Sequence, residues 1–206
     1  MVPTSRVSPL AWLSAGLLLT IAACQQPPAL HGQERSPWFV TGGAEFIDES
    51  NSVIHGVGRD LPRNSFLVSQ EIYGDFELNV EVKIEGGNSG IQIRSHYDAE
   101  KDRVFGYQIE VDPSERAWSG GLYDEGRRGW LDSNEGKEEA RAAFDVDGWN
   151  HYRIRCVGDH IQTWVNGVAC ADYHDDEDAE GHIALQVHGG AKTDVWWRGL
   201  KIQRLP

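Results

Sequence analysis

The sequence predicts an all-β fold, a sandwich or jelly roll of two antiparallel sheets. Two observations predict it. Short runs of alternating polar and apolar residues, each about the length of a strand, are separated by Gly, Asn and Asp. No long stretch repeats its apolar residues at a helical period. Many short strands in one unit of this size argue for two packed sheets, with a closed barrel as the alternative.

In chain order, the first element reads as an export signal. Arg6 precedes the apolar run LAWLSAGLLLTIAAC, which ends at Cys24. A short apolar segment closed by small residues has the form of a signal peptide, and it is too short to span a membrane comfortably. Ile21-Ala22-Ala23-Cys24 resembles a bacterial lipoprotein signal, and Gln25 stands where an Asp would resemble inner-membrane retention. The resemblance implies that residues 1–23 are removed and that Cys24 carries acyl chains. The chain would then be held at the bacterial cell envelope, on the outer membrane or facing the periplasm, without a spanning helix. Residues 24–37 read as a flexible tether. Residues 38–206 read as one domain of about 170 residues, enough to bury a sizeable core.

The strands of that domain are SFLVSQ, DFELNVEVKI, SGIQIRSH, GYQIEVD, HYRIRCV, HIQTWVN, HIALQVHG and VWWRGLKIQRL. Alternation assigns one face of each to the core. Phe76, Leu78, Val80 and Val82 point inward against Glu77, Asn79, Glu81 and Lys83, as do Ile91 and Ile93, Tyr152, Ile154 and Cys156, and Leu185 and Val187. Residues 134–144 are the one helical candidate, or else a loop. The stretch YRIRCVGDHIQTWVNGVAC reads as a three-strand meander turning at Gly158-Asp159 and Asn166-Gly167. Its first and third strands are then roughly 10 Å apart, too far for a disulfide, so Cys156 and Cys170 are expected to be free thiols.

The chain carries a formal charge of −13, and loss of residues 1–23 would remove Arg6 and no acid. An acidic chain repels phosphate backbones, which excludes nucleic acid as a natural partner. The acidic run DDEDAE at 175–180 lacks EF-hand spacing and reads as a solvated loop. The sequence holds no GxGxxG after a strand, no Walker loop, no GxSxG elbow, no CxxC and no HExxH. Nucleotide cofactors, serine-hydrolase chemistry and the usual zinc sites are therefore unsupported.

Three strands have polar faces unlike an ordinary wet sheet surface. Gln92, Arg94 and His96 share a face of one strand. Gln108, Glu110 and Asp112 share a face of the next, with the two acids roughly 7 Å apart. Gln186 and His188 share a face of the third. Side by side, these strands would form one patch with an Arg, a His and two carboxylates. Amides, carboxylates and Arg bond sugar hydroxyls directionally, and Trp faces cover apolar ring surfaces. Of the tryptophans after Cys24, Trp164 and Trp196 share faces with Gln162 and Arg198 and are the expected stacking platforms; Trp197 lies on the core side with Val195. Asp112 precedes Pro113, so an Asx-type turn is the structural reading beside the functional one.

In combination, these stretches resemble the 3-keto-disaccharide hydrolase family, also described as 3-keto-glucoside 1,2-lyase/3-keto-2-hydroxyglucal hydratase. The matching pieces are YGDFELNVEVKIEGGNSGIQIRS (73–95), GYQIEVD (106–112), SGGLYD (119–124), GWNHYRIRCVGDHIQTWVNGV (148–168), GHIALQVHGG (181–190) and VWWRGLKIQRL (195–205). Two positions depart from the pattern: Gly199 stands where Asn is usual, and Val187 replaces the Asp of a Gln-Asp-His run.

The resemblance implies a concanavalin A-like jelly roll and a substrate that is a small saccharide or glycoside with a ketone at C3. It implies elimination across C1 and C2, followed by hydration. In that reading Glu110 is the base or a metal ligand, and His188 is a proton shuttle or a second ligand to a divalent metal. Arg94 stabilises the developing oxyanion, and Asp112 orients His188 or water. Gln92, His96, Gln108, Trp164, Gln186 and Trp196 bind the sugar. Two other readings use the same face. One is a non-catalytic carbohydrate-binding module. The other is a conventional endo-glycanase built on Glu110-Val111-Asp112-Pro113-Ser114-Glu115, which reads E-x-D-x-x-E.

Overall fold

The computed structural model describes residues 1, 37–49 and 52–206. Cys24, and all of the expected signal and tether except Met1 and Pro37, lie outside the described residues. In chain order the elements are β1 (Trp38–Thr41), β2 (Glu45–Glu49), β3 (Val53–Leu61), β4 (Ser65–Ser69), β5 (Phe76–Gly86), β6 (Ser89–Asp98) and β7 (Arg103–Val111). They continue with β8 (Leu122–Glu125), β9 (Gly129–Asp132), α1 (Glu138–Ala142), β10 (Asn150–Val157), β11 (His160–Val165), β12 (Val168–His174), β13 (His182–Val187) and β14 (Gly190–Arg204). The helical candidate at 134–144 shrinks to α1, a single short turn in which Ala140 is the one buried residue.

The strands form two seven-stranded sheets, ordered β1-β4-β13-β6-β7-β8-β9 and β12-β11-β10-β5-β14-β3-β2. The polar strands β13, β6 and β7 are neighbours in the first sheet, as the shared-patch reading requires. Every residue assigned inward by alternation is buried between the sheets, including Phe76, Ile91, Tyr152, Ile154 and Val187. Each large apolar side chain removed from water there contributes about 1.5–3 kcal/mol. Trp197 is also in the core, stacked on Phe46 at 6.2 Å. β11 separates β10 from β12, and Cys156 and Cys170 are free and buried. Burial pushes their thiols up to about 12 and about 11, so neither is a ready nucleophile.

Two local features depart from simple alternation. The β6–β7 register shifts between Gln92 and His96, and the facing β13–β6 register shifts between His182 and Ala184. Arg94 sits inside this bulge with φ 44°, so its side chain leaves the polar face. The acidic run 175–180 is not simply solvated. Asp178 is buried and pairs with His96 at 2.6 Å and with Arg127. Asp175 accepts from Arg128 at 2.9 Å and from the Tyr107 hydroxyl. Arg127 and Arg128 also both reach the fully buried Asp124, so cations clamp this loop onto the end of the first sheet.

Candidate active site

The outer face of the first sheet carries a ladder of amides that ends on one carboxylate. Gln108 Oε1 accepts from Gln92 Nε2 and from Gln186 Nε2, both at 2.8 Å, so its Nε2 faces Glu110 Oε2, at 3.0 Å. Ser95 Oγ lies 2.6 Å from Gln92 Oε1 and extends the ladder. Glycine at position 90 is required here, because a Cβ would lie 2.4 Å from the Gln108 amide carbon. Gln92 and Gln186 are fully buried beneath Gln108 and brace it from below.

Glu110 is 5% exposed. Besides Gln108, it accepts from Asn88 Nδ2 at 2.8 Å and Arg116 Nη2 at 3.1 Å. Burial pushes its carboxyl above the ordinary value of 4.5, and the bonds from Asn88 and Gln108 and the charge of Arg116 pull the other way without prevailing.

Asp112 has a different task. Its Oδ1 accepts from the Ser114 N–H at 3.0 Å, which is the Asx-type turn, and its Oδ2 accepts from Arg116 Nε at 2.8 Å. Burial raises its carboxyl, but these bonds outweigh burial and hold it below the ordinary range. Asp112 therefore folds residues 113–119 back and places Arg116 beside Glu110. The guanidinium lies 4.9 Å from the Trp118 ring and 5.0 Å from the Trp130 ring, a geometry that adds cation–π attraction.

Glu110 and Gln108 form part of a cavity of about 350 Å³, together with Asn88 and Arg116. Its other walls are Tyr123, Glu125, Trp130 and His188. His188 is exposed, and its Nδ1 lies 2.6 Å from the Gly189 carbonyl. A carbonyl only accepts, so the proton sits on Nδ1 and the neutral ring keeps a bare lone pair on Nε2. Glu125 accepts from Asn64 at 3.1 Å; burial raises its carboxyl, against the pull of that bond and of Arg103 and His188. Burial, with the negative charges of Glu125 and Glu110, also raises the Tyr123 hydroxyl.

The structure thus brings together Gln108, Glu110 and His188, with Gln92 and Gln186 as buttresses and Asp112 as organiser. Arg94 is not there. It is 0% exposed and its guanidinium serves Gly74 O at 2.9 Å, Gly158 O at 2.6 Å and Asp75 at 3.0 Å, where it ties loops of the second sheet to β6. His96 is turned to Asp178 and Phe105. Trp164 and Trp196 lie on the other sheet, beneath Arg153 at 4.4 Å and stacked on His55 at 4.1 Å, respectively. The aromatic walls of the cavity are Trp130 and Tyr123. Glu115 is exposed on the loop after Pro113, so E-x-D-x-x-E does not place three acids on one face. Arg116, Glu125, Tyr123 and Trp130 were missed because they come from loops and short strands with weak alternation. The signal that could have found Arg116 is the Asp112-Pro113-Ser114 turn, which returns the residue four places after Asp112.

A metal on Glu110 and His188 does not fit the donors present. Three N–H groups, one of them on a cation, already address the Glu110 carboxylate, and among the described residues no third ligand converges with these two. Among the described residues, the one group of three metal-capable side chains that converges is His160, Asp172 and His174, on β11 and β12 of the other sheet.

A family model described as 3-keto-alpha-glucoside-1,2-lyase-like domain matches residues 29–203. No curated protein matches the sequence. Among solved structures, the chain is similar to the carbohydrate binding module CBM66 from Bacillus subtilis, with 15% identity and TM-score 0.59 over 81% of this chain and 95% of that one. It is also similar to a Bacillus subtilis protein of unknown function with a galectin-like fold, with 11% identity and TM-score 0.61 over 82% and 90%. A third is the exoplasmic/lumenal domain of VIP36, with 12% identity and TM-score 0.54 over 83% and 86%. At these identities the likeness is one of fold, and the fold is the concanavalin A-like jelly roll.

Proposed function

Because the chain belongs to the 3-keto-alpha-glucoside-1,2-lyase-like domain family, we propose that its polar cavity cleaves 3-keto-glycosides by elimination followed by hydration. The C3 ketone acidifies the hydrogen on C2. Glu110 takes that proton, and the electron pair passes to the ketone oxygen as an enediolate. Its return expels the glycosidic oxygen from C1, which takes a proton and leaves as an alcohol. The remaining ring is a 2-hydroxyglucal that keeps its ketone. Water then adds across the double bond, hydrogen to C2 and hydroxyl to C1, and the sum is hydrolysis.

The side chains have matching roles. Arg116, held beside Glu110, supplies positive charge for the enediolate oxygen in place of Arg94. His188, with Nε2 bare, carries protons between water and the ring. Glu125, whose carboxyl is raised by burial, protonates the leaving oxygen. Trp130 covers a sugar face. The observation that carries the reading is Glu110: a buried carboxylate with a raised pKa, aimed by an amide ladder into a cavity large enough for one sugar ring.

The experiment is turnover of a 3-keto-disaccharide in deuterated water. Elimination and hydration exchange the C2 hydrogen, so the released 3-keto sugar must carry solvent deuterium at C2 by mass spectrometry. Release of sugar with C2 unlabelled would show direct attack at C1 and sink the proposal. No release would leave the runner-up, a binding module. The lipoprotein-like stretch ending at Cys24 supports an envelope location, which palmitate labelling of the chain and its absence in Cys24→Ser would test.

A further inference from the structure

A second cavity of about 330 Å³ opens beside the first, and Glu125 is the wall they share. Asn64 fixes that wall: its Nδ2 donates to Glu125, and its Oδ1 accepts from the Gly189 N–H at 2.9 Å, next to His188. The two cavities are therefore held in register by one side chain. The floor of the second is apolar, made by Phe66 and Val104, which belong to a small cluster with Val68 and Ala184 on this outer face. Its rim carries Arg63, Lys101 and Arg103.

The charges on that rim do not cancel. Arg63 is paired with Asp102 at 2.6 Å and Lys101 with Asp98 at 2.7 Å. Arg103 makes no side-chain hydrogen bond or ion pair among the described residues. Its guanidinium is packed over the β8–β9 turn, where a Cβ on Gly126 would lie 1.8 Å from Arg103 Nη2. The acid facing this cavity without a cation bonded to it is Glu125, whose carboxyl burial raises against the pull of Arg103. What remains is one guanidinium with no acid bonded to it, at the rim of an apolar floor, on a chain of net charge −13 whose overall field repels anions.

We infer that the second cavity receives the leaving group and that it selects a leaving group bearing a carboxylate, recognised by Arg103. The inference rests on the proposed elimination for the words "leaving group", but the carboxylate site stands on its own geometry. A planar guanidinium grips a carboxylate through two parallel N–H bonds. The apolar floor accepts the flat face of a sugar acid or an aromatic acid.

Two measurements test it separately. In the first, D-glucuronate and 4-hydroxybenzoate are titrated at low ionic strength against glucose and 4-hydroxybenzyl alcohol, with binding read by NMR. The carboxylates are expected to bind about tenfold tighter than their neutral counterparts, to lose that preference in Arg103→Gln, and to keep part of it in Arg103→Lys. Which acid binds better tells the sugar source from the aromatic one. Equal binding of acid and neutral probes, or a preference that survives Arg103→Gln in a variant that melts like the parent, overturns the site. In the second, the kcat/KM ratio for 3-keto-glucosides with acidic and neutral leaving groups is expected to be about ten and to fall to about one in Arg103→Gln. A ratio of one in the parent overturns the leaving-group role. Arg103-dependent binding without any turnover would instead overturn the elimination and leave the carboxylate site standing.

Discussion

Arg116 and Glu110 form a half-open ion pair: Nη2 lies 3.1 Å from Oε1, while Nε of the same guanidinium lies 2.8 Å from Asp112 Oδ2. One cation therefore couples the acid that faces the cavity to the acid that shapes the loop. The strand GYQIEVD supplies both acids on one face, but only a loop residue gives them different tasks.

Replacing Glu110 with Gln keeps the shape and an oxygen to accept the bond from Asn88, and removes the base. Turnover of a 3-keto-glycoside is expected to fall by about a hundredfold to ten-thousandfold, the usual worth of a general base, while the folded far-ultraviolet spectrum is unchanged. Parental activity in this variant would remove Glu110 from the chemistry.

Arg94 and Arg116 are separable by what each change damages. Arg94 is fully buried and donates to two carbonyls and to the partly exposed Asp75, so Arg94→Met leaves those groups without their donor. Loss of these bonds from a charged donor costs about 3 kcal/mol, or roughly 10 °C in melting temperature for a domain of this size. Arg116 is partly exposed, so Arg116→Gln is expected to melt near the parent and to lose kcat. The reverse pattern, a stable Arg94→Met that is inactive, would restore Arg94 to the site.

What was legible in the sequence follows from periodicity. Alternation alone placed Phe76, Ile91, Ile154 and Leu185 in the core, because a two-sheet sandwich buries one face of nearly every strand. The same rule failed at Arg94, where a bulge breaks the period and a positive φ redirects the side chain. It was also silent for β3, where Gly56 and Gly58 interrupt the pattern. The polar floor of the site was legible because Gln92, Gln108, Glu110 and Gln186 stand on long regular strands. Arg116, Glu125 and Trp130 were not, since a loop's return path depends on turns such as the one capped by Asp112. Trp164 and Trp196 show the converse limit: alternation identified an exposed face but not which sheet it belongs to.

The two sheets therefore give a contrast in aromatic substitutions. Trp130 borders the cavity, so Trp130→Ala is expected to raise KM about tenfold through loss of ring stacking. Trp164→Ala and Trp196→Ala, on the far sheet, are expected to leave KM unchanged. A rise in KM for either far-sheet variant, measured on the same substrate, would move the binding face.

The pH dependence carries a definite sign. Glu110 must be ionised to take a proton, and burial raises its carboxyl above 4.5. The rate is therefore low below that raised value and climbs as pH rises through it. Asn88 donates to the carboxylate and favours the charged form. Asn88→Ala removes that support, so the acid limb of kcat/KM is expected to move to higher pH. A limb that moves down, or does not move, would show that another group controls it. Stability gives an independent reading. A carboxyl whose folded value is raised opposes folding once ionised, and this penalty grows as pH rises from its ordinary value through the raised one. Glu110→Gln removes the penalty, so the melting temperature of the variant relative to the parent is expected to be higher at about pH 8 than at about pH 5. Asp112 works oppositely: its lowered carboxyl stabilises the fold above the ordinary value of 3.8, and that contribution is lost as pH falls through the folded value. Melting curves of Asp112→Asn and Glu110→Gln across both windows separate the acid that shapes the loop from the acid that takes the proton.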